Sequence, residues 1–460
     1  MIRRTVREWE RISYGTDENT IPTQYADRIV AEAKASAFSG HGGEGILEHG
    51  RKGLRARGVV GVIATPSCQL EILPKIEGPG ESNSDDATLR RRLIHMLAIA
   101  MNTHVDARAI TQLGWQRDTV LELLIRLYCN KLADALRRGF PQQYANHEDD
   151  LPSLRGRLDV NRQFTTLAFS PQKLACRFDA RSPDISLNQV MRAVVAKLCR
   201  IAQAPDNQRI LRELSFAYAD ISEVFPSALR WDLIVLDRTN TRWQELLSLA
   251  RLFLGDRHQQ TTTGSIEGHA LLFKMNTLFE EYVARLLARA FAGTDLSVSA
   301  QGGHRNCLFE GNTGRFQTCP DLIVRQGDRI ALIIDTKWKR ITGRIEDPKR
   351  GVSQSDVYQV MTYGRLYDCP KVMLLYPHHG ELKRDPILKR YSIAKRDAEE
   401  SVFVATLDIS GPLREQQIAL KGLIMDRLDS VPAARRERQD TVARQSFRHV
   451  SNDRIRTGSA

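Results

Sequence analysis

The chain has 460 residues, of which 42% are hydrophobic and 27% are charged, as is typical of a globular protein with two or three domains. No apolar stretch reaches the roughly 18 residues that a transmembrane helix needs, and the basic N-terminus lacks the apolar core of a signal peptide. The formal net charge of +12 favours a polyanionic partner such as nucleic acid only slightly, because many soluble proteins are mildly basic.

The N-terminal segment is predicted to be a mixed β region. Gly58–Ile63 and Leu70–Pro74 are apolar runs typical of strands, and a turn near Pro66 separates them. The glycine-rich loop Ser39–Gly45 lacks the Gly-Lys-Ser/Thr ending of a phosphate-binding loop, so we interpret it as a loop without nucleotide. Gly78–Asp86 has the composition of a linker.

A helix-rich middle region follows. Apolar spacing predicts four helices, with Asp118 as a cap and Gly139 as the stop of the second, and a capping box from Thr241 to Gln244 in the fourth. Leu154–Leu158 is interpreted as loop or strand. The predicted helices are Thr88–Ala100, Asp118–Arg138, Leu187–Ile201 and Thr241–Leu254.

The pattern changes after about Gly264 to alternating helices and short strands, which indicates an α/β sheet domain. From about Ser430 the chain is polar and Arg-rich, and we expect it to be disordered. The helices are predicted at His269–Phe291 and Ser355–Tyr367, and the strands at Leu296–Ala300, Asp321–Arg325, Ile330–Asp335, Val372–Tyr376 and Ser401–Leu407. The predicted domains are 1–86, 87–262 and 263–412, with a helix end and tail at 413–460.

One predicted β-hairpin carries the residues of a candidate active site. Asp321 begins the first strand, a turn follows at Gly327, and Asp335 ends a second strand of five apolar residues. Asp335 and Lys337 are two residues apart on a strand, so their side chains leave the same face, and antiparallel pairing brings Asp321 back towards them.

This group suits phosphodiester hydrolysis. Mg²⁺ prefers oxygen ligands, which Asp321, Asp335 and the backbone carbonyl of Thr336 supply. Lys337 is then placed to orient a water or to stabilise developing negative charge.

Short motifs of this kind also arise by chance. This chain contains decoys at Glu381-Leu382-Lys383, Pro183-Asp184 and Pro205-Asp206, none of which has a strand–turn–strand context. A surface salt bridge is the alternative for Asp335 and Lys337. A charge at the end of a buried strand is costly unless it lies at an edge or has a function, which favours the functional interpretation.

Two flanking helices offer further candidates. Glu280 and Glu281 lie off the apolar stripe of the helix before the hairpin, where either could approach a metal, although a solvated glutamate is the commoner outcome. Gln359 and Tyr363 are four apart, hence on one face of the following helix, and could bond the carboxylates or a DNA phosphate.

Together these residues resemble the PD-(D/E)xK nuclease superfamily, in its branch with a Gln-xxx-Tyr helix, and more closely the McrC family of nuclease subunits of modified-cytosine restriction systems. The resemblance covers roughly residues 55–410 and is most specific in the nuclease core. The matching stretches are Leu70–Ile76, Leu154–Arg157, Cys176–Asp179, Met275–Val283, Pro320-Asp321, Asp335–Lys337 and Gln359-xxx-Tyr363.

The resemblance implies an α+β N-terminal and helical middle region followed by an α/β PD-(D/E)xK restriction-endonuclease-like domain. It implies Glu280, rather than Glu281, as the helix carboxylate, Asp321 and Asp335 as Mg²⁺ ligands (with Mn²⁺ as a substitute), and Lys337 as the catalytic lysine. Gln359 and Tyr363 support them.

The resemblance further implies double-stranded, methylated DNA as substrate and a separate AAA+ GTPase of the McrB type as partner. The chain has no phosphate-binding loop of its own, so GTP would enter only through that partner. The N-terminal region would dock on the ring, and Ser39–Gly45 and the basic segment Arg51–Arg57 are candidates for that surface. The Arg-rich tail and the segment Arg340–Ser353 depart from shorter family members.

Three functions remain open from the sequence. The first is a GTP-dependent, modification-dependent DNA endonuclease subunit, and the second is a nuclease of another defence or repair assembly with an ATP-driven partner. The third is an activator or scaffold of a AAA+ ring, against which the intact Asp321, Asp335 and Lys337 argue. Seven scattered cysteines without a CxxC pair favour neither disulfides nor zinc, and we expect a cytoplasmic protein without membrane contact.

Overall fold

The computed structural model describes residues 1–35, 46–76, 84–103, 116–170, 172–237, 240–255, 269–342, 351–382, 387–392 and 400–428. Backbone contacts divide the chain into one unit of Met1–Pro74 with Asp86–Lys274 and a second of Lys75–Asp85 with Met275–Ala460. Within the described ranges, no helix combines the length and hydropathy needed to cross a membrane. The loop Ser39–Gly45, most of the linker Gly78–Asp86, most of Arg340–Ser353 and the tail from Ser430 lie outside these ranges.

The first unit opens with a mixed α+β region, which contains the predicted strands and one helix that the sequence did not predict. Its elements are β1 (Ile2–Arg7), β2 (Arg11–Ser13), α1 (Thr23–Ala35), β3 (Leu47–Gly50), β4 (Gly53–Ala56), β5 (Val59–Ala64) and β6 (Cys68–Leu73). Every residue of β5 and β6 is buried, which explains why both strands are continuous apolar runs and not alternating ones.

Helices make up most of the rest of this unit. Their order with the intervening strands is α2 (Asp86–Ala100), α3 (Val120–Leu136), β7 (Gln143–Leu151), β8 (Arg157–Leu158), α4 (Val160–Phe164), β9 (Leu174–Ser182), α5 (Ser186–Ile201), α6 (Pro205–Ala217), α7 (Trp243–Leu254) and β10 (His269–Lys274). The four predicted helices are confirmed as α2, α3, α5 and α7, and the strand alternative for Leu154–Leu158 is confirmed at β8.

Two predicted helix caps are wrong. The N-cap of α3 is Thr119, without a side-chain bond, because the free N–H of Val120 donates instead to the carboxylate of Glu71 at 2.8 Å. Asp118 pairs with Arg126 at 3.8 Å. Helix α7 starts later than predicted, with Arg242 at its N-cap, so Thr241 and Gln244 do not form a capping box. The predicted glycine stop is present, since Gly139 has a φ of +96°.

The predicted helix His269–Phe291 begins six residues too early. His269–Lys274 is strand β10, which pairs antiparallel with β5 and closes a four-stranded sheet of order β1-β6-β5-β10. The run Ala270–Phe273 is wholly apolar, and such a run does not distinguish helix from strand without its neighbours. Gly61 permits this pairing, because a Cβ there would lie 2.0 Å from the carbonyl oxygen of Leu271.

The second unit is built on one six-stranded sheet. After α8 (Met275–Ala290), its order along the chain is β11 (Leu296–Ala300), β12 (Arg305–Glu310), β13 (Thr313–Thr318), β14 (Leu322–Gln326), β15 (Arg329–Thr336), α9 (Gln354–Leu366), β16 (Lys371–Pro377), β17 (Ile387–Ser392), β18 (Ser401–Leu407) and α10 (Leu413–Leu428). The five predicted strands and both predicted helices of this α/β region are thereby confirmed, apart from the early start at His269.

The strand order in the large sheet is β11-β14-β15-β16-β18-β17. Strands β11, β14 and β15 are antiparallel neighbours, whereas β15, β16 and β18 run parallel. The core beside α9 contains Val360 and Tyr363 of that helix with Ile333, Val372 and Leu374 of the sheet. Asp335 follows Ile333 by two residues on β15, so the strand that builds this core also carries a carboxylate at its end.

Candidate active site

The hairpin of β14 and β15 places Asp321 and Asp335 side by side, as the sequence predicts. Leu322 pairs with Ile334 in the last rung of the ladder, so the residues just beyond it are Asp321 and Asp335. Asp335 still pairs on its other side, with Leu374 of β16. The two carboxylates therefore meet at the end of a buried strand.

Asp335 is fully buried and has Lys337 beside it. The Lys337 Nζ lies 2.6 Å from Oδ2 of Asp335, with one fifth of the lysine side chain exposed. The contact is an ion pair outside hydrogen-bond geometry, and neither carboxylate oxygen has a hydrogen-bond partner among the described residues. A buried, charged oxygen without a donor is costly, which marks Asp335 as a residue kept for something other than stability.

Asp321 is held by the backbone of the opposite strand. Thr336 donates both its N–H and its hydroxyl to Oδ2 of Asp321, at 2.7 and 2.9 Å. The backbone carbonyl of Asp321 accepts from the N–H of Gln301 at 2.8 Å. These bonds fix Asp321 beside Asp335, whereas the expected metal contact of the Thr336 carbonyl stays a prediction.

Glu280 comes from α8 and joins the same electrostatic group. Its Oε1 accepts from the side chain of Gln301 at 3.1 Å. Burial, and then the charges of Asp321, Glu281 and Asp335, raise the pKa of Glu280 to about 7 against the lowering effect of Gln301. The structure thus brings Glu280 towards the aspartates.

Asp335 also holds its proton more tightly than an ordinary aspartate. Burial, and then the charge of Asp321, raise its pKa from 3.8 to about 6, although Lys337 lowers it. Both shifts have one physical origin, which is that several carboxylates share a site with little water. A cation placed among them would remove that repulsion.

The helix candidates Gln359 and Tyr363 bond to each other. The amide of Gln359 donates to the hydroxyl of Tyr363 at 2.7 Å, and that hydroxyl lies 3.4 Å from the carbonyl of Cys319, two residues before Asp321. Burial raises the pKa of Tyr363 to about 12. The pair thus contacts the segment that leads into the β14–β15 hairpin, and its expected contact with a carboxylate or a phosphate stays a prediction.

The sequence analysis missed three residues of this region. Lys339 lies 2.9 Å from the buried carboxylate of Asp356, which also accepts from Tyr376 at 3.4 Å. Asp356 stands three residues after the N-cap Ser353 of α9. The available signal was a second lysine two residues after Lys337, but nothing in the sequence indicated that a helix would supply its partner.

The donors present fit a divalent cation, although they are not gathered around one. Within the described ranges, no group of three or more His, Cys, Asp or Glu side chains is arranged to hold a metal ion. The carboxylates point to other partners instead, because Oδ2 of Asp321 accepts from Thr336 and Asp335 is paired with Lys337. The fit rests on the buried, partnerless Oδ1 of Asp335 and on the oxygen character of all three carboxylates.

The decoy motifs have structural roles. Asp184 accepts from the N–H of Ser222 at 3.0 Å and from Gln189 at 2.9 Å. Asp206 lies in the first turn of α6, and Glu381 pairs with Arg340 at 3.0 Å. None of the three shares the strand-end setting of Asp335.

Comparisons with known proteins bear on the family and the fold of the chain. A family model described as McrBC 5-methylcytosine restriction system component matches residues 54–377. A half-complex from a tetradecameric assembly of Thermococcus gammatolerans McrB AAA+ hexamers with bound McrC is similar with a TM-score of 0.67 and 20% identity, covering 91% of this chain and 98% of that chain.

A second structure, the cryo-EM structure of the Thermococcus gammatolerans McrBC complex, has a TM-score of 0.49 and 20% identity over 63% of this chain and 88% of that chain. No curated protein matches the chain. At 20% identity the structural likeness shows the fold alone, and that fold extends over nearly the whole chain.

Proposed function

The chain belongs to the family of McrBC 5-methylcytosine restriction system components, and from this premise we propose that it is the DNA endonuclease subunit of a GTP-dependent, modified-cytosine-dependent restriction complex. The second unit would be its PD-(D/E)xK restriction-endonuclease-like domain. The observation that carries the proposal is the group Asp321, Asp335 and Lys337 at the end of one buried strand.

The residues of the group have distinct roles in this proposal. Asp321 and Asp335, with Glu280 beside them, would hold Mg²⁺, which supplies Lewis-acid stabilisation of the charge that phosphodiester hydrolysis develops. Thr336 fixes the carboxylate of Asp321 through two hydrogen bonds. Tyr363, which accepts from Gln359, would support the segment before Asp321 through its hydrogen bond to the carbonyl of Cys319.

Lys337 is placed to act on the substrate. Its ammonium group is held by Asp335, yet part of the side chain remains accessible at the end of the strand. A preorganised cation in a site with little water stabilises a developing negative charge far better than it would in bulk solvent. We assign Lys337 this role at the scissile phosphate.

The partner is proposed to be a AAA+ GTPase of the McrB type. Support comes from the fold, because the similar structure is of McrC bound to McrB AAA+ hexamers. In the basic segment Arg51–Arg57, Arg55 donates to the carbonyl of Trp9 at 2.8 Å and Arg57 pairs with Glu48 at 3.2 Å. These internal contacts leave the docking role of the segment a prediction.

The test is a cleavage assay on the assembled complex. The chain is co-expressed with the AAA+ protein encoded beside its gene, and methylated and unmethylated plasmids are incubated with Mg²⁺ and GTP. We expect cutting that depends on methylation and GTP and is abolished by Asp335→Ala. Asp328→Ala, at the opposite end of the same hairpin, is the matched control and should cut normally.

Other outcomes discriminate among the alternatives. Cutting that survives Asp335→Ala would refute the assigned site. A chain that stimulates the partner GTPase without cutting DNA would be an activator or scaffold. Cutting that requires ATP and ignores methylation would place the nuclease in another defence or repair assembly.

A further inference from the structure

A β-hairpin leaves the large sheet at the same end as the candidate active site. Ala300, the last residue of β11, pairs with Leu322, the first residue of β14. The chain between these two partners forms β12 and β13, which pair with each other as a separate two-stranded sheet. The hairpin therefore begins and ends next to Asp321.

Both roots of the hairpin are tied to the site. On the entry side, the backbone N–H of Gln301 binds the carbonyl of Asp321, and its side chain binds Glu280. The hydroxyl of Tyr367 donates to the carbonyl of Gly303 on the entry side and lies 3.2 Å from the carbonyl of Thr318 on the exit side. Arg305 adds a bond to the carbonyl of Leu366 and stacks over the ring of Tyr367 at 4.9 Å.

Beyond these anchored roots, the hairpin exposes large apolar side chains. The exposed fractions are 59% for Leu308, 68% for Phe309 and 74% for Phe316. A two-stranded hairpin alone is marginally stable in water, and exposed apolar surface on such an element marks an interaction site.

The charge and polarity of the hairpin favour nucleic acid as the occupant. Its one carboxylate, Glu310, is bound by both Nε and Nη2 of Arg315, at 3.1 and 2.9 Å. With Arg305 the hairpin strands carry a small positive excess. The other side chains include Asn306 and Gln317, whose amides suit base edges.

The dimensions agree as well. The major groove of B-DNA is about 12 Å wide and admits a two-stranded β-ribbon. The six residues of each strand extend over about 20 Å, which is long enough to reach into a groove beside a phosphate at Lys337.

We propose that the β12–β13 hairpin enters the major groove of the substrate duplex beside the scissile phosphate, with Phe309 and Phe316 in apolar contact with the base pairs. This inference rests on the proposed nuclease function and adds to it a DNA-positioning element. The contact is apolar and does not select a particular base sequence, so it holds the duplex in register over Asp335 and Lys337.

The first test measures binding of a labelled DNA duplex by the full-length chain assembled with its AAA+ partner, in an Asp335→Asn background that prevents cutting. The double variant Phe309→Ser/Phe316→Ser is expected to bind about tenfold or more weakly, the scale of losing the apolar burial of two aromatic side chains. Phe216→Ser removes an equally exposed phenylalanine from α6 and should bind within about twofold of the parent.

The second test places a photo-crosslinking phenylalanine analogue at position 309 or, as control, at 216. Crosslinks from position 309 should fall within a few base pairs of the cleavage position, and none should arise from 216. The double variant must keep the parent's unfolding midpoint and its stimulation of the partner GTPase, which excludes misfolding as the cause of weak binding.

Failure of this inference is distinguishable from failure of the proposed function. The double variant is also made in the chain with Asp335 intact, so that cutting can be compared. If that double variant cuts DNA as fast as the chain without it, and also binds DNA equally well in the Asp335→Asn background, the hairpin does not position DNA. Crosslinks to a second copy of the chain or to the AAA+ partner would identify a protein interface and overturn the proposal. A parent complex that neither binds nor cuts DNA would refute the nuclease function itself.

Discussion

At the scale of single residues, Asp335 shows how a buried charge opposes stability. Its pKa is about 6 in the folded chain against an ordinary 3.8, so the folded protein binds this proton more tightly than the unfolded protein does. Stability from this group is therefore lost as pH rises from about 4 to about 6, and the folded state bears the full cost at neutral pH.

Asp335→Asn should consequently abolish DNA cleavage and yet stabilise the chain at pH 7. The expected gain is of the order of 1–3 kcal/mol, reduced by the loss of the ion pair with Lys337. Thermal unfolding at pH 7 and below pH 4 measures it, and the gain should disappear at the lower pH.

Added Mg²⁺ gives a complementary readout, because a ligand that binds only the folded chain raises its unfolding temperature. The parent should be stabilised by Mg²⁺ and Asp335→Asn should not. A variant that is less stable than the parent at neutral pH would contradict the cost assigned to the buried carboxylate.

The two lysines after β15 provide a matched pair of substitutions. Lys337 faces Asp335 at the strand end, whereas Lys339 is held by Asp356. Lys337→Ala should lower the cleavage rate by about a hundredfold or more, and it should also destabilise the chain by about 1–3 kcal/mol because Asp335 stays buried without its cation. Lys339→Ala should leave most of the rate and destabilise the chain by about 1–3 kcal/mol, because the carboxylate of Asp356 stays buried without its cation.

Initial cleavage rates and urea unfolding curves of the two variants separate these effects. Equal losses of rate would mean that Lys339 also acts at the phosphate. Unchanged stability in Lys339→Ala would mean that Asp356 finds another donor.

At the scale of elements, one buried carboxylate joins β6 to two helices. Glu71 on β6 accepts from Arg90 of α2 at 2.7 Å, from the N–H of Val120 of α3 at 2.8 Å and from Thr5 of β1 at 3.2 Å. It thereby binds an N–H in the first turn of α3, where the N-cap Thr119 makes no side-chain hydrogen bond. The carboxylate of Glu71 can be buried in an apolar strand because these protein donors replace the hydrogen bonds that water would make to it.

Glu71→Ala is expected to destabilise the chain by about 3–5 kcal/mol, since it leaves the guanidinium of Arg90 buried and the first turn of α3 unsatisfied. Glu48→Ala breaks the more exposed pair with Arg57 and should cost less than about 1 kcal/mol. Chemical unfolding of both variants checks the contrast, and similar small losses would show that the buried network adds little to stability.

The sequence predicted the helices and strands well where the apolar pattern was long. It predicted them less well where pairing with another strand decided whether a segment is helix or strand. Helices α2, α3, α5 and α9 were predicted within a few residues because amphipathic spacing is a local property. Strand β10 was mistaken for helix because its apolar run becomes a strand only by pairing with β5. Strands β7, β12 and β13 went unpredicted because they are mostly polar and contain no buried residue.

At the scale of the whole molecule, positive charge is spread unevenly along the chain. The net charge is +12, and Ala433–Ala460 contributes seven arginines against three acids. Each DNA phosphate that a protein neutralises adds about 0.9 to the steepness with which the logarithm of the binding constant falls against the logarithm of the salt concentration. The tail can therefore add sequence-independent affinity for DNA without contributing to catalysis.

Truncation after Pro432 should lower the slope of log affinity against log salt by up to about 4 and leave the cleavage rate at saturating DNA unchanged. Titrations of a DNA duplex at several salt concentrations, with the full chain and the truncated chain, provide the measurement. An unchanged slope would show that the tail does not contact phosphate. A lower rate at saturation would give the tail a part in the reaction.

The sequence by itself determined the α/β character of the second unit, the positions of Asp321, Asp335 and Lys337, and the hairpin that joins them. These features follow from the alternation of side chains along a strand and from the turn residues between two strands. Both are properties of a segment of some twenty residues and need no knowledge of the rest of the fold. The family resemblance was likewise present in the sequence, and the match over residues 54–377 confirms it.

Only the tertiary structure decided what surrounds those residues. It placed Gln301 between Asp321 and Glu280, Asp356 against Lys339, and the β12–β13 hairpin at the end of the sheet that holds the candidate active site. Such contacts join residues far apart in the chain, so no local pattern encodes them. Burial raised the pKa values of Glu280 and Asp335 for the same reason, because the water a carboxylate loses is set by everything packed around it.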